Sequence, residues 1–193
     1  MPDKAPVTYI PNVVGMPAMT FNYLWEHTPW EQREGAPRRE AWFNPYGQPY
    51  TYGSGDHART YEAHPLTALA PDAAGGIYRI MCSLNQATGA SYDCCFVNGY
   101  EHGRQHLGWH SDDSPEMDAN HPIATVSLGA EREIWFRPIG DQSGANVEKM
   151  MLASGSAAIM GAGMQQGWQH RIPKSSRVDC GPRLSLTYRR LVR

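Results

Sequence analysis

The sequence predicts an α+β fold that is mainly β, an antiparallel double-sheet or barrel architecture with helices early and strands late. Three observations predict it. Fifteen prolines, 19 glycines, 10 tyrosines and 4 phenylalanines favour strands and turns over a helical bundle. Helical periodicity is confined to the part of the chain before Gly89. Beyond it come short apolar runs separated by turn residues. With 193 residues, 41% of them apolar, the chain suits one domain with a sizeable core.

Residues 17–27, PAMTFNYLWEH, read as the first helix. A second runs from about Ala73 to Ala87, with Ile77, Ile80, Met81 and Leu84 at i, i+3, i+4 and i+7 ahead of Gly89. Gly75 and Gly76 weaken its first turn, and its apolar face is expected to pack on a sheet. Between the two, residues 37–55, PRREAWFNPYGQPYTYGSG, are aromatic and rich in turn formers, and read as exposed hairpins or a lid. Strand-like segments follow at 92–100, 123–129, 132–137, 149–153, 156–161 and 183–190. No internal repeat or long Gly/Ser linker interrupts them.

The opening MPDKAPVTYIPNVVG lacks the basic start and apolar run of a signal peptide, and no stretch approaches the roughly 18 apolar residues of a membrane span. A soluble, cytoplasmic monomer with no membrane partner is expected. Cys82, Cys94, Cys95 and Cys180 show no zinc-like CxxC spacing and read as reduced thiols in or near the core. Net charge is −2, but residues 147–193 hold eight Lys/Arg against two Asp/Glu. A basic C-terminal third is suited to phosphate or to a solvated surface.

Chemistry concentrates in GWHSDD, residues 108–113. His102, His106 and His110 fall at i, i+4 and i+8, a metal-binding face on a helix, but Asn98-Gly99, Gly103 and Gly108 break any such helix. On a strand or extended turn, His110 and Asp112 share a side and reach one ion while Ser111 points away. His170, in GWQHRIP, is the candidate third ligand. Two His and one carboxylate leave open positions on a non-haem Fe(II).

The last strand, RLSLTYR, puts Arg183, Ser185, Thr187 and Arg189 on one side and Leu184, Leu186 and Tyr188 on the other. The two arginines lie roughly 20 Å apart along the backbone. Leaning together, they leave a gap suited to a short dicarboxylate, which Arg holds bidentately. Two surface arginines on an edge strand would look the same in sequence.

Together, Asn98-Gly-Tyr100, His110-Ser-Asp112, His170 and Arg183-Leu-Ser-Leu-Thr-Tyr-Arg189 resemble the ordered NxY, HxD, distal His and RxNxTxR motifs of the AlkB family of Fe(II)- and 2-oxoglutarate-dependent dioxygenases. The likeness spans roughly residues 36–190. PRREAWF with PYTYGSG, WHSDDSPEM, PIATVSLGAEREIWFR and WQHRIPK look like the branch that repairs methylated bases in single-stranded DNA and RNA.

The resemblance implies a double-stranded β-helix, or jelly-roll/cupin-like, core over 90–193. It further implies N-terminal helices on one sheet, an N-terminal extension over 1–35 and a nucleotide-recognition hairpin or lid over 36–64. His110, Asp112 and His170 would hold iron; Asn98, Tyr100, Arg183, Ser185 and Arg189 would hold 2-oxoglutarate. Ser185 stands where the family usually has Asn, which leaves one hydroxyl in place of an amide. Asp113 would face the exocyclic nitrogen of a bound base. Trp42, Tyr50 and Tyr52 would stack on it or, equally, pack the hairpin. Arg171, Lys174 and Arg177 would contact phosphate or remain solvated.

The implied reaction is oxidative demethylation of 1-methyladenine and 3-methylcytosine in single-stranded DNA or RNA. O2 and 2-oxoglutarate are consumed, and formaldehyde, succinate and CO2 are released. The same chemistry on another base, such as a 5-methylpyrimidine, or on a small molecule is the nearest alternative. A binding module without turnover and a zinc hydrolase on the same His/Asp/His set are more distant ones.

Overall fold

The computed structural model describes residues 4–32, 36–53, 58–69, 76–177 and 179–192. The chain opens with a short strand, β1 (Val7–Ile10), and a helix, α1 (Pro17–His27). Next come β2 (Arg39–Phe43), β3 (Tyr50–Tyr52), β4 (Arg59–Tyr61), β5 (Ala63–His64) and α2 (Ile77–Thr88). The remaining strands are β6 (Cys94–Tyr100), β7 (Leu107–His110), β8 (Ile123–Gly129), β9 (Arg132–Pro138), β10 (Glu148–Leu152), β11 (Ala157–Met160), β12 (Trp168–Ile172) and β13 (Arg183–Arg189).

Both helices fall where the pattern places them. Pro17 opens α1, where its missing N–H costs nothing. α2 begins at Ile77 after Gly76; residues 73–75 of the expected helix lie outside the described residues. It ends on Gly89 at φ 68°, the left-handed cap glycine adopts most readily. Its four periodic apolar residues are all buried.

The strands pair as a seven-stranded sheet in the order β1-β11-β8-β13-β6-β2-β5, a four-stranded sheet β10-β9-β12-β7 and a two-stranded hairpin β3-β4. The expected double-stranded β-helix core requires correction, since no sheet closes into a barrel or curls strongly. Closure needs the outermost strands to come within pairing distance, about 4.8 Å. Here β1 and β5 end one sheet and β10 and β7 the other, with no ladder joining them among the described residues. Alternation in the sequence counts strands but carries no information on which edges meet. The fold is therefore mixed α+β and mainly β, built from open antiparallel sheets with one parallel pair, β2 with β5.

β13 organises the large sheet. It lies between β6 and β8, and every residue of it is buried. Its Leu184, Leu186 and Tyr188 join Val97, Val126, Leu128 and the helix residues Leu24, Ile77 and Leu84 in one core cluster. The opposite side packs toward the small sheet, where Tyr100, Ile123 and Met160 meet Ile134, Phe136 and Ile172. Helices thus cover one side of the large sheet, and the small sheet covers the other.

The segment read as exposed hairpins divides. Arg39–Phe43 is an interior strand paired with β6, with Trp42 and Phe43 fully buried. Its aromatic residues fill space on both sides of the sheet, which removes the alternation that marks a half-exposed strand. Only β3 and β4 form a separate hairpin, and residues 54–57 lie outside the described residues.

The turn between β8 and β9 holds both in place. Gly129 sits at φ +87°, and a Cβ there would lie 2.5 Å from the Pro182 carbonyl oxygen and 2.8 Å from the Phe21 ring. Gly129→Ala is expected to lower unfolding stability by ~1–3 kcal/mol. Urea denaturation reads this as a lower midpoint at unchanged slope, and an unchanged midpoint would contradict it.

Candidate metal centre

Strand register brings the first two candidate ligands together. His170 on β12 is the direct partner of His110 on β7, so their rings share one side of the small sheet with centroids 4.2 Å apart. Asp112, two residues past His110, swings to the same side. Its Oδ1 lies 3.8 Å from His110 Nε2 and its Oδ2 3.7 Å from His170 Nε2. One donor atom from each residue falls within 4.8 Å of the other two. Two bonds pin the connecting loop: Asp112 N–H donates to Gln165 Oε1 at 2.9 Å, and Ser111 Oγ donates to the Trp168 carbonyl at 3.1 Å.

The electrostatics suit a cation. Burial pushes the His170 imidazole down to about 3 and lowers His110 as well, so both rings are neutral with lone pairs available. His110 Nδ1 lies 2.9 Å from the Gly108 carbonyl, which selects the tautomer that leaves Nε2 free for a metal. Burial disfavours the Asp112 anion, but Arg189, His170 and His110 outweigh it and hold the carboxyl below its usual range. Arg189 Nη2 donates to Asp112 Oδ1 at 2.7 Å, and Nη1 to Tyr50 Oη at 3.2 Å.

The triad opens into a cavity between the two sheets. Asn98, Tyr100, Ser185 and Arg189 line it together with the three donors. Arg183 lies beneath, fully buried, its Nε donating to Ser127 Oγ at 2.9 Å and its Nη2 reaching Ser185 Oγ at 3.4 Å. Burial lowers the Arg183 guanidinium to about 10, and it carries its charge with no carboxylate paired to it among the described residues. Its Nη1, the Tyr100 hydroxyl and Arg189 Nε are all buried without a hydrogen-bond partner. Such groups are costly unless something satisfies them.

The other expected contacts are distributed unevenly. Tyr50 and Tyr52 line the cavity; Trp42 does not, since it is enclosed by Tyr50 and Phe96 with its Nε1 donating to the Gln48 carbonyl at 2.8 Å. Asp113 is exposed and borders a second cavity that shares Asp112 with the first. Arg171 and Lys174 line an outer groove, while Arg177 is exposed and 3.6 Å from Asp179. His106 also faces that groove, away from the triad.

A model of the 2OG-Fe(II) oxygenase superfamily matches residues 7–189. The chain belongs to that superfamily. Among curated relatives it is similar to the alpha-ketoglutarate-dependent dioxygenase alkB homolog 3 of Bos taurus, 30% identical over 88% of this chain and 59% of that protein. It is also similar to the DNA oxidative demethylase ALKBH2 of Mus musculus, 33% identical over 74% of this chain and 60% of that protein. The superfamily member described here thus spans about three fifths of the length of these relatives. A solved structure of OsALKBH1 shares its fold with a TM-score of 0.64 at 16% identity, over 97% of this chain and 99% of that one. No helix among the described residues is long and apolar enough to cross a membrane.

The donor set fits the superfamily's metal, with two neutral imidazoles and an ionised carboxylate on one side of a cavity. Two contributors escaped the sequence motifs. Arg38, 7% exposed, lines the cavity, donates from Nε to Asn98 Oδ1 at 2.6 Å and pairs with Glu40 at 2.5 Å. Gln165 supports Asp112 from a 3₁₀ turn, Met164–Gln166. Arg38 lies inside the PRREAWF stretch, where nothing in the sequence sets it apart from Arg39, and Gln165 carries no spacing signal.

Asp112→Ala is expected to destabilise the metal-free protein by ~3–5 kcal/mol, because it leaves Arg189 buried without its anion. His110→Ala should cost far less stability yet abolish Mn(II) binding as completely. Denaturation and equilibrium dialysis on both variants check this pair of outcomes; equal stability losses would contradict it.

Proposed function

We propose that this protein is an Fe(II)- and 2-oxoglutarate-dependent dioxygenase that removes N-linked methyl groups from bases of single-stranded DNA or RNA, 1-methyladenine and 3-methylcytosine in particular. One observation carries the reading. The metal-binding triad lines one cavity with Tyr100 and Ser185, and directly behind Ser185 lies a buried arginine, Arg183, with no carboxylate paired to it among the described residues. The similar mammalian proteins, an alpha-ketoglutarate-dependent dioxygenase and a DNA oxidative demethylase, suggest the substrate class.

When bound, the metal and its cosubstrate supply a two-electron oxidation of a C–H bond, coupled to conversion of 2-oxoglutarate and O2 to succinate and CO2. His110, Asp112 and His170 hold the metal. Arg183 and the Tyr100 hydroxyl take one carboxylate of 2-oxoglutarate, which satisfies both orphaned groups at once. Asn98, Ser185 and Arg189 line the rest of its path. Arg189 also ties the dicarboxylate's binding strand to the metal ligand Asp112.

Substrate selection follows from charge and access. 1-Methyladenine and 3-methylcytosine are cationic, and the exposed Asp113 carboxylate, which follows Asp112 and borders the adjoining cavity, favours them on approach. A base reaches the cavity only out of the stack, which costs least in single strands. Tyr52 lines that cavity from the β3-β4 hairpin; burial, then Asp112, raise its phenol, so it stays protonated and can donate a hydrogen bond. After hydroxylation of an N-methyl group, the hemiaminal loses formaldehyde and the unmodified base remains.

The test is anaerobic loading with Fe(II), then aerobic incubation with 2-oxoglutarate and an oligonucleotide bearing one 1-methyladenine. Loss of one methyl mass with equimolar formaldehyde is expected. Succinate formation without demethylation would place the chemistry on another base or a small molecule. Arg183→Met should weaken 2-oxoglutarate binding to the Mn(II)-loaded protein by ~2–5 kcal/mol, at least about 30-fold, in anaerobic calorimetry. Stability should hold or rise, because an apolar side chain replaces a buried unpaired charge.

A further inference from the structure

Strands β9, β10, β12 and β7 turn a second set of side chains outward, on the reverse of the sheet that carries His110 and His170. Cross-strand register aligns Lys149 with Trp135 and Trp135 with Arg171. Lys149 Nζ lies 4.2 Å from the Trp135 ring centre, and the Arg171 guanidinium lies 4.2 Å from Trp135 and 4.6 Å from Trp109. The Arg137 guanidinium lies 4.4 Å from Trp109. Three cations and two indoles therefore alternate across all four strands of this sheet.

This arrangement leaves charge without a counter-charge, although the Arg137 guanidinium donates to Gln169 Oε1 from Nε at 3.2 Å and from Nη2 at 2.9 Å. Among the described residues no carboxylate stands within 4.0 Å of Lys149, Arg137 or Arg171. Glu133, on the same strand as Trp135, is engaged with that residue's Nε1 at 2.8 Å. Arg171 Nε is buried with no hydrogen-bond partner. Its guanidinium lies beside both indoles, on a strand between those of Trp135 and Trp109, and its N–H groups are suited to an oxyanion. Each indole already carries two cations within 4.6 Å of its ring centre, which favours phosphate contact over the base stacking of a single-strand binding platform.

The surface also adjoins the metal cavity. Trp135 and Arg171 line an outer groove with His106 and Lys174, and two further walls of that groove, Leu107 and Ile172, also line the cavity. β7 is the edge strand between them.

We propose that this cation–indole ladder is a sequence-independent docking face for the phosphodiester backbone of the nucleic-acid strand whose base enters the cavity round the β7 edge. The inference rests on the nucleic-acid reading of the site. It adds that affinity depends on strand length, with phosphates beyond the target nucleotide held by Lys149, Arg171 and Arg137.

Anisotropy with a labelled, unmodified oligonucleotide of about 15 nucleotides, the upper end of single-strand site sizes, tests it as salt is varied. The plot of log affinity against log salt should flatten by about 0.7 for Lys149→Gln, and by about 2 for the triple variant Lys149→Gln, Arg137→Gln, Arg171→Gln. The triple variant should also bind this oligonucleotide no better than a trinucleotide, while wild type prefers the longer strand. Unchanged melting and Mn(II) binding verify the fold. Equal slopes and equal length preference in wild type and triple variant would overturn the ladder, whatever the protein oxidises. Ladder-dependent binding without oxidation of any alkylated base would keep the ladder and refute the demethylase reading.

Discussion

The structure turns on one buried ion pair, Asp112 with Arg189 at 2.7 Å. It joins the two sheets at the point where chemistry is expected, since Asp112 follows β7 of the small sheet and Arg189 ends β13 of the large one. Taken out of water, either charge alone would be prohibitive. Together they keep a carboxylate ionised beside two neutral imidazoles, the state a divalent cation needs. Because Arg189 pairs with Asp112, a metal on the triad would change the partner set of Arg189 and so couple electrostatically to the proposed 2-oxoglutarate site.

Division of labour within each sheet follows from period-two alternation. On β13, Leu184, Leu186 and Tyr188 bind the helices while Ser185, Thr187 and Arg189 line the cavity. On β12, His170 faces inward and Arg171 outward; on β7, His110 faces inward and Trp109 outward. A one-residue slip in either strand would exchange a metal ligand for a ladder residue. The bonds from Ser111 and Asp112 to Trp168 and Gln165 therefore protect register as much as local geometry.

Much of this was legible in the sequence where apolar alternation was strong. Both helices, and the strands at 123–129, 132–137 and 183–190, stand where periodicity puts them. β12 was missed because its inward-facing position is occupied by His170, so WQHRI reads as polar. β2 was missed for the opposite reason: Trp42 and Phe43 are buried on opposite sides, and Glu40 is tolerated inside only because Arg38 and Tyr61 satisfy it. The metal triad was readable as HxD plus a distal His, and the arginine strand as a doubly cationic face. Sheet closure was not readable, because it depends on edges far apart in the chain. The ladder was equally hidden: Trp109, Trp135, Lys149 and Arg171 are neighbours only through register.

The triad and Arg183 are proposed to form one binding site for a metal and a dicarboxylate. A crystal structure of the protein grown anaerobically with Mn(II) and 2-oxoglutarate tests it most directly. One metal ion is expected on His110 Nε2, Asp112 and His170 Nε2, with a carboxylate of 2-oxoglutarate on Arg183 and Tyr100. Metal at the triad with Arg183 Nη1 still unpaired, or the dicarboxylate bound elsewhere, would contradict it.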